Sequence, residues 1–260
     1  MPDQPTFDAF VVSDTGLRRR QNEDAFICLP EIGLFLVADG MGGENSGEIA
    51  SRRTARDFER FITPFLLDEE ATIPFEHSSD ADPFLNVLEH AVDQTNRSVL
   101  QTAKDNPEYK GMGSTLTAAV VQGDRLAVAH IGDSRLYRLA GGTPHQITVD
   151  HTRVQEMIEK NLLSPEEART HRDRHIITQC MGRKKRIHPD IFHIDLDPDA
   201  LYLLCSDGLY DMLADEEIGN IVSESTDLEA AGRRLVDRAN AAGGRDNITI
   251  VLFRRIVDIN

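Results

Sequence analysis

The sequence has no tryptophan, few other aromatic residues and only three cysteines among 260 residues. Cys28, Cys180 and Cys205 are odd in number and widely spaced, which argues against a disulfide framework and against a zinc ligand set. No apolar run reaches the roughly 18 residues that a membrane helix requires. The first six residues have neither a basic start nor an apolar core, so they do not resemble a secretion signal. We therefore expect a reduced, cytoplasmic protein without a membrane partner.

Positive charge is also scarce, because 28 Lys and Arg stand against 44 Asp and Glu, for a formal net charge of −16. Such a chain is a poor candidate for binding nucleic acid through a basic surface. The exception is the stretch 169–186, which carries seven Lys or Arg and one Asp. A hydrophobic content of 40% suffices for one sizeable core, and we expect a single domain over residues 1–260.

Apolar periodicity and turn residues divide the chain into strands and helices. Strands are predicted at 7–13, 25–29, 33–38, 114–121, 125–131, 134–139, 191–194, 201–205 and 248–254. Helices are predicted at 45–61, from Asp82 onward, as a hairpin over 151–171, and at 215–223 and 227–241, the last capped by Thr226 and Glu229. The three strands within 114–139 look like an antiparallel meander, and 66–86 like a loop or insertion. This order predicts an α+β fold with antiparallel sheets.

Three aspartates lie at the ends of predicted buried strands. Asp39-Gly40 and Asp207-Gly208 each follow an apolar run, and Asp246 comes just before another. A single Asp-Gly at a strand end is usually a turn. A carboxylate beside a buried strand needs a partner, however, and three of them favour one shared oxygen site for Mg²⁺ or Mn²⁺. Asp39, Asp207 and Asp246 are then direct ligands, and the Gly40 carbonyl could be one more.

Other polar residues allow two interpretations each. Glu23 and Asp24 form either an exposed acidic link or part of a second ion site, and Asp133 is either a hairpin-turn residue or a further ligand. The arginines 18–20 are either a solvated surface, or one of them grips an anion with two hydrogen bonds. Cations together with an arginine suggest a phosphate substrate, because paired ions lower the pKa of a bridging water and neutralise phosphate oxygens. No P-loop pattern supports the use of nucleoside triphosphates.

Six stretches, taken in order, resemble the metal-dependent Ser/Thr protein phosphatases of the protein phosphatase 2C family, and in particular its compact bacterial members. They are GLRRRQNED (16–24), VADGMGG (37–43), GMGSTL (111–116), HIGDSR (130–135), LCSDGL (204–209) and GGRDNIT (243–249). The resemblance implies a β-sandwich of two antiparallel sheets flanked on both sides by pairs of helices. It also implies hydrolysis of phosphoserine and phosphothreonine by a metal-activated water at two ions, with a possible third.

The resemblance assigns roles to single residues of this chain. It implies one ion held by Asp39, Asp207 and Asp246, a second held by Asp39 and the Gly40 carbonyl with Glu23 bound directly or through water, and a third held by Asp133 and Asp207. Arg19 matches the arginine that grips the phosphate, while Asp24 and Asn247 match residues that keep ligands or waters in place.

Further expectations follow from the same resemblance. The stretch from about 150 to 186 corresponds to a flap beside the active site, and we hypothesise that its charge attracts acidic phosphoproteins. The expected partners are phosphorylated Ser/Thr proteins, including a Ser/Thr kinase, and the expected oligomeric state is a monomer.

The chain departs from the family pattern at three positions. Met41 stands where animal members have a histidine, Glu44 where bacterial relatives usually have one, and Arg18 where an apolar residue is usual. The residue that protonates the leaving group and the identity of the inward-facing arginine stay open at this point. Two alternatives also stay open, namely a regulatory module with little catalysis and a hydrolase of small phosphate esters. The presence of all three strand-end aspartates favours the enzyme.

Overall fold

Two antiparallel sheets form the centre of the computed structural model, which describes residues 6–42, 46–68 and 82–256. The five-stranded sheet has the order β1-β11-β10-β7-β8, and the second sheet has the order β2-β3-β5-β6-β9, with β4 paired to β3. The strands are β1 (Phe7–Asp14), β2 (Asp24–Leu29), β3 (Leu34–Met41), β4 (Gly113–Ser114), β5 (Leu116–Gln122), β6 (Arg125–Ile131), β7 (Arg135–Ala140), β8 (Thr143–Gln146), β9 (Asp190–Asp195), β10 (Leu201–Cys205) and β11 (Ile248–Arg255).

Helices cover the outer face of each sheet. The α-helices of the described residues are α1 (Ser46–Leu67), α2 (Pro83–Asp105), α3 (Arg153–Glu159), α4 (Pro165–Thr170), α5 (Asp207–Tyr210), α6 (Asp215–Ser223) and α7 (Leu228–Ala241). The apolar faces of α1 and α2 pack on the six-stranded sheet, and those of α6 and α7 pack on the five-stranded sheet. The predicted fold class is confirmed. Among the described residues, no helix has the length and apolar character needed to span a bilayer.

Aromatic residues fill the space between the two sheets. Phe35 of β3 stacks on Phe253 of β11 with ring centroids 3.9 Å apart. Tyr202 of β10 also stacks on Phe253, with ring centroids 5.2 Å apart. Phe7 meets both phenylalanines edge-on. These residues are buried because their strands have apolar side chains on both faces, one against the helices and one against the opposite sheet.

The predicted meander over 114–139 is wrong in its third strand. β5 and β6 pair as expected, but β7 lies in the other sheet, between β10 and β8. The chain changes sheets at Gly132, whose φ of +111° is a conformation that other residues rarely adopt. Thr115 packs against Gly132 where a Cβ would lie. This crossing depends on long-range packing and is not visible in the local pattern.

Several predicted boundaries also change. Helix α1 continues to Leu67 instead of ending near residue 61, and α2 begins at Pro83, so helices occupy both ends of the predicted 66–86 loop. Residues 69–81 of that loop, and the Asn45 of the predicted first cap, lie outside the described residues. Thr226 does not cap the last helix. Asp227 does, since its carboxylate accepts a hydrogen bond from the Ala230 amide at 2.7 Å and thereby satisfies a free N–H of the first turn.

Within the segment from about 150 to 186, residues 152–177 begin and end at the same place. A bridge joins Thr152 to Ile177, and the Thr178 amide donates to the His151 carbonyl at 2.8 Å. The His151 amide in turn donates to the Gly132 carbonyl at 2.6 Å. The short helices α3 and α4 therefore lie on a closed excursion whose base is attached to the turn that carries Asp133.

Candidate metal centre

The three strand-end aspartates meet in one cavity of about 640 Å³. Asp39 lies near the end of β3, and Asp246 precedes β11. Strand β10 ends at Cys205, and Asp207 is the first residue of the next helix, α5. Arg19, Glu23 and Gly40 line the same cavity. The fold thus brings together residues from both sheets that are up to 227 positions apart in the chain.

The carboxylates of this cavity repel one another. Burial raises the pKa of Asp39 well above its usual range, and the charges of Asp24 and Asp207 raise it further. Burial likewise raises the pKa of Asp207 well above its usual range, with added contributions from Asp133 and Asp246. The ionised forms of Asp39 and Asp207 are therefore unfavourable without a nearby cation.

Two carboxylate oxygens in this region are buried without a hydrogen-bond partner, namely Oδ1 of Asp24 and Oδ1 of Asp207. Buried polar atoms are normally satisfied, so an unpartnered oxygen calls for an explanation. A cluster of oxygen donors with excess negative charge suits the hard divalent cations Mg²⁺ and Mn²⁺. The residues present therefore fit a metal centre.

The Gly40 position requires a glycine. A Cβ there would collide with the carbonyl oxygen of Gly47 and would lie 2.6 Å from that of Glu23. The Gly40 amide also donates to the Glu23 carbonyl at 3.1 Å. The loop that carries Glu23 and the start of α1 thus close around the backbone of β3, where the Gly40 carbonyl is expected to be a ligand.

Arg19 is the member of the arginine triplet that lines the cavity, whereas Arg18 and Arg20 do not. Its Nη2 donates to Oδ2 of Asp246 at 2.7 Å. The side chain lines the cavity and is about half exposed, so guanidinium donors other than Nη2 stay accessible. An arginine at this position can bind an anion that enters the cavity.

Asp24 and Asn247 lie behind the cavity and make hydrogen bonds that connect its loops. The Ser206 hydroxyl donates to Oδ2 of Asp24 at 2.7 Å, and burial raises the pKa of Asp24 to about 6. Asn247 Oδ1 accepts from the Glu23 amide at 2.8 Å. Asn247 Nδ2 donates to two carbonyls of the 15–21 loop, each at 2.9 Å. Both residues thus fix the position of neighbouring acids.

Asp133 lies in the turn after β6 and faces a second cavity of about 560 Å³ beside the first. Burial raises its pKa to about 7, and the nearby charge of Asp150 contributes. Tyr210 of α5 donates its hydroxyl to the Asp133 carbonyl at 2.9 Å. Since the charge of Asp133 also raises the pKa of both Asp39 and Asp207, it belongs to the same electrostatic cluster.

Sequence reasoning missed two residues of this region, His175 and Asp211. Together with Asp207 they place potential ligand atoms within 4.8 Å of one another, and His175 Nδ1 lies 3.5 Å from Asp211 Oδ2. Asp211 could have been found, because it follows Asp207 by four residues and such positions share a helical face. His175 comes from the 150–186 excursion, and no local signal links it to Asp207.

Two positions at which the sequence departs from the family pattern, Met41 and Glu44, are positions where relatives have a histidine. Met41 lines the first cavity beside Gly40. Glu44 lies outside the described residues. A histidine therefore occupies neither the Met41 position nor the Glu44 position, and the histidine that does line the cavity is His175.

Known proteins resemble this chain in sequence. A family model described as "Protein phosphatase 2C" matches residues 18–252. The chain is 34% identical over 245 residues to "Protein phosphatase PhpP" of Streptococcus pneumoniae, covering 93% of this chain and 95% of that protein.

Solved structures are similar as well. The Mycobacterium tuberculosis Ser/Thr phosphatase PstP/Ppp superposes with a TM-score of 0.84 at 33% identity, covering 96% of this chain and 99% of that one. The catalytic domain of PstP, solved in complex with two manganese ions, gives a TM-score of 0.82 at 32% identity and covers 98% of this chain and all of that one.

Proposed function

The chain belongs to the protein phosphatase 2C family and is a Ser/Thr protein phosphatase, and we propose that it works with two divalent ions, Mn²⁺ or Mg²⁺, and a third bound more weakly. The observation that carries this proposal is the cluster of buried carboxylates with raised pKa values and two unpartnered oxygens. The manganese ions of the PstP structure support the choice of metal.

We assign the ligands from position and chemistry. Asp39, Asp207 and Asp246 would hold the first ion. Asp39, the Gly40 carbonyl and Glu23 would hold the second. The third would lie between Asp133 and Asp207. Such ions, when bound, lower the pKa of water and neutralise the oxygens of a phosphate ester.

The other residues act on the substrate or on the ligands. Arg19 would bind the phosphate with the part of its guanidinium that Asp246 leaves free, and so orient the ester in the cavity. Asp24 would accept from Ser206 and hold the end of β10 against β2. Asn247 would hold the Glu23 loop and, through its own amide at 2.8 Å, the Asp246 carboxylate.

The 150–186 excursion is proposed to be the flap of a single catalytic domain. His175, Ile176 and Ile177 of this segment line the first cavity, which supports a role in covering the substrate. The expected partners are phosphorylated Ser/Thr proteins, with a Ser/Thr kinase among them, and the protein is expected to act as a cytoplasmic monomer. The family membership supports the substrate class, and the remaining expectations rest on the sequence.

The test compares a phosphothreonine peptide with a sugar phosphate at equal concentration, each with and without Mn²⁺. The proposal expects Mn²⁺-dependent phosphate release that is faster from the peptide. Faster release from the sugar phosphate would favour a hydrolase of small esters. No release from either substrate by folded, Mn²⁺-loaded protein would favour a regulatory module.

A further inference from the structure

Cationic side chains surround the entrance to a cavity whose floor is acidic. Besides Arg19, the first cavity is lined by Arg174, Arg183 and Arg245. Within the described parts of the chain, none of these last three has a carboxylate oxygen within 4.0 Å, whereas many other arginines are ion-paired. In a chain of net charge −16, three such arginines among the described residues are thus gathered at one acidic cavity.

Arg174 interacts electrostatically with a carboxylate of the protein itself, Asp211. Burial raises the pKa of Asp211, and the positive charge of Arg174 opposes this rise, so Arg174 lies close to that carboxylate. Arg183 and Arg245 are both exposed, and no carboxylate of the described residues pairs with either. Among the described residues that line this cavity, they are the two arginines left for a substrate once Arg19 and Arg174 are set aside.

Arg183 is held in place on the side of the six-stranded sheet. Its Nε donates to the Gly111 carbonyl at 3.1 Å, and a Cβ on Gly113 would lie 3.2 Å from the same nitrogen. Gly113 belongs to β4, which pairs with Gly40 and Met41 of β3. The backbone contact fixes one edge of the guanidinium and leaves its two terminal nitrogens for another group.

Arg245 approaches the cavity from the five-stranded sheet. It lies between the glycine pair that ends α7 and Asp246, just before β11. It lines both the first and the second cavity, whereas Arg183 lines only the first. The two arginines therefore flank the carboxylate cluster from different sheets.

The residues of the basic run 183–186 line two different cavities. Lys185 and Arg186 line a separate groove of about 570 Å³, together with Glu89 and Asp93 of α2. Of the residues 183–186, only Arg183 lines the first cavity. A local contact made by Arg183 can therefore be tested separately from a general attraction by the basic stretch.

Building on the proposed phosphatase activity, we propose that Arg183 and Arg245 bind acidic side chains on opposite sides of the phosphorylated residue. The preferred substrate is then a phosphothreonine or phosphoserine segment with Asp or Glu on both flanks. Arginine suits this role, because its planar donors match a carboxylate. Both arginines are exposed, so each contact is expected to change kcat/KM by about two- to fivefold rather than by orders of magnitude.

The experiment uses four phosphothreonine peptides of equal length with Mn²⁺, namely one with neutral flanks, one acidic only on the N-terminal side, one acidic only on the C-terminal side and one acidic on both. The readout is the ratio of kcat/KM for each acidic peptide to that for the neutral peptide. Wild type is expected to give ratios of about two to five for each single-sided peptide. Arg183→Gln should bring one of these ratios to one, and Arg245→Gln the other.

Arg186→Gln is the matched control, because it removes the same charge three residues from Arg183 in a separate groove. It should leave both ratios as in wild type. Raising the salt concentration should lower the wild-type ratios toward one, since exposed charge contacts are screened.

Three results would overturn the inference alone: equal kcat/KM for all four peptides in wild type, ratios unchanged in both cavity variants, or a loss in Arg186→Gln as large as in Arg183→Gln. Failure of the underlying activity is distinguishable, because then no peptide releases phosphate with Mn²⁺. That result would overturn the proposed function and this inference together.

Discussion

Replacing Asp133 by Asn is expected to stabilise the metal-free protein at alkaline pH. Burial raises the pKa of Asp133 to about 7 from an ordinary value of 3.8, and the charge of Asp150 adds to this. The folded protein thus holds the Asp133 proton more tightly than the unfolded chain does. The resulting penalty on folding is absent below pH 3.8, grows between pH 3.8 and 7, and is complete above pH 7.

The size of the penalty follows from the two pKa values. A difference of about three pH units corresponds to about 4 kcal/mol, because one unit is 1.36 kcal/mol. Asn keeps a polar group in the same buried place, so we expect the variant to recover about 1 to 4 kcal/mol at pH 8. For a chain of this length, 1 kcal/mol raises Tm by about 2 °C or more.

The assay is thermal unfolding of chelator-treated protein at pH 8 and pH 5. Asp133→Asn should unfold at a higher temperature than wild type at pH 8, and the difference should shrink at pH 5. The matched control is Asp199→Asn, a change at an exposed carboxylate that should leave Tm nearly unchanged. A Tm for Asp133→Asn at or below that of wild type at pH 8 would refute the reasoning.

Three further predictions concern residues around the site. Burial lowers the pKa of His130 to about 3, so its neutral form stabilises the fold above pH 6.5 and this contribution declines as pH falls. Between pH 6.5 and 4.5, wild type should lose about 2 kcal/mol more unfolding free energy than His130→Gln in denaturant titrations. Gly40→Ala should destabilise the protein by about 1 to 3 kcal/mol in the same titrations, because its Cβ would collide with backbone carbonyls. Tyr210→Phe removes the hydrogen bond to the Asp133 carbonyl and should cost about 1 to 2 kcal/mol, together with a higher Mn²⁺ concentration for half-maximal activity.

Local chemistry made much of the fold predictable. The Asp82 side chain accepts from the Phe84 amide, and the capping box at Ser164 has both of its hydrogen bonds, because these contacts span only two or three residues. Strands β2 and β3 lie where apolar periodicity predicts strands, and they pair with each other across a short connection. These features depend on sequence neighbours and on side-chain periodicity.

Long-range packing determined what the sequence could not predict. The transfer of β7 to the other sheet depends on how Thr115 packs against Gly132. The approach of His175 to Asp211 depends on where the closed excursion returns to the core. The preference for Arg19 over Arg18 and Arg20 arises from its contact with Asp246, which is 227 residues away. None of these contacts has a local signature.

The most direct test of the metal-centre proposal is phosphate release from a phosphothreonine peptide by wild type and Asp207→Asn, with and without Mn²⁺. Bound Mn²⁺ per chain is measured on the same samples by calorimetry, and thermal unfolding verifies that the variant is folded. The account predicts that wild type requires Mn²⁺ and that Asp207→Asn binds fewer ions and loses its activity. Full activity of wild type without metal, or of folded Asp207→Asn, would contradict it.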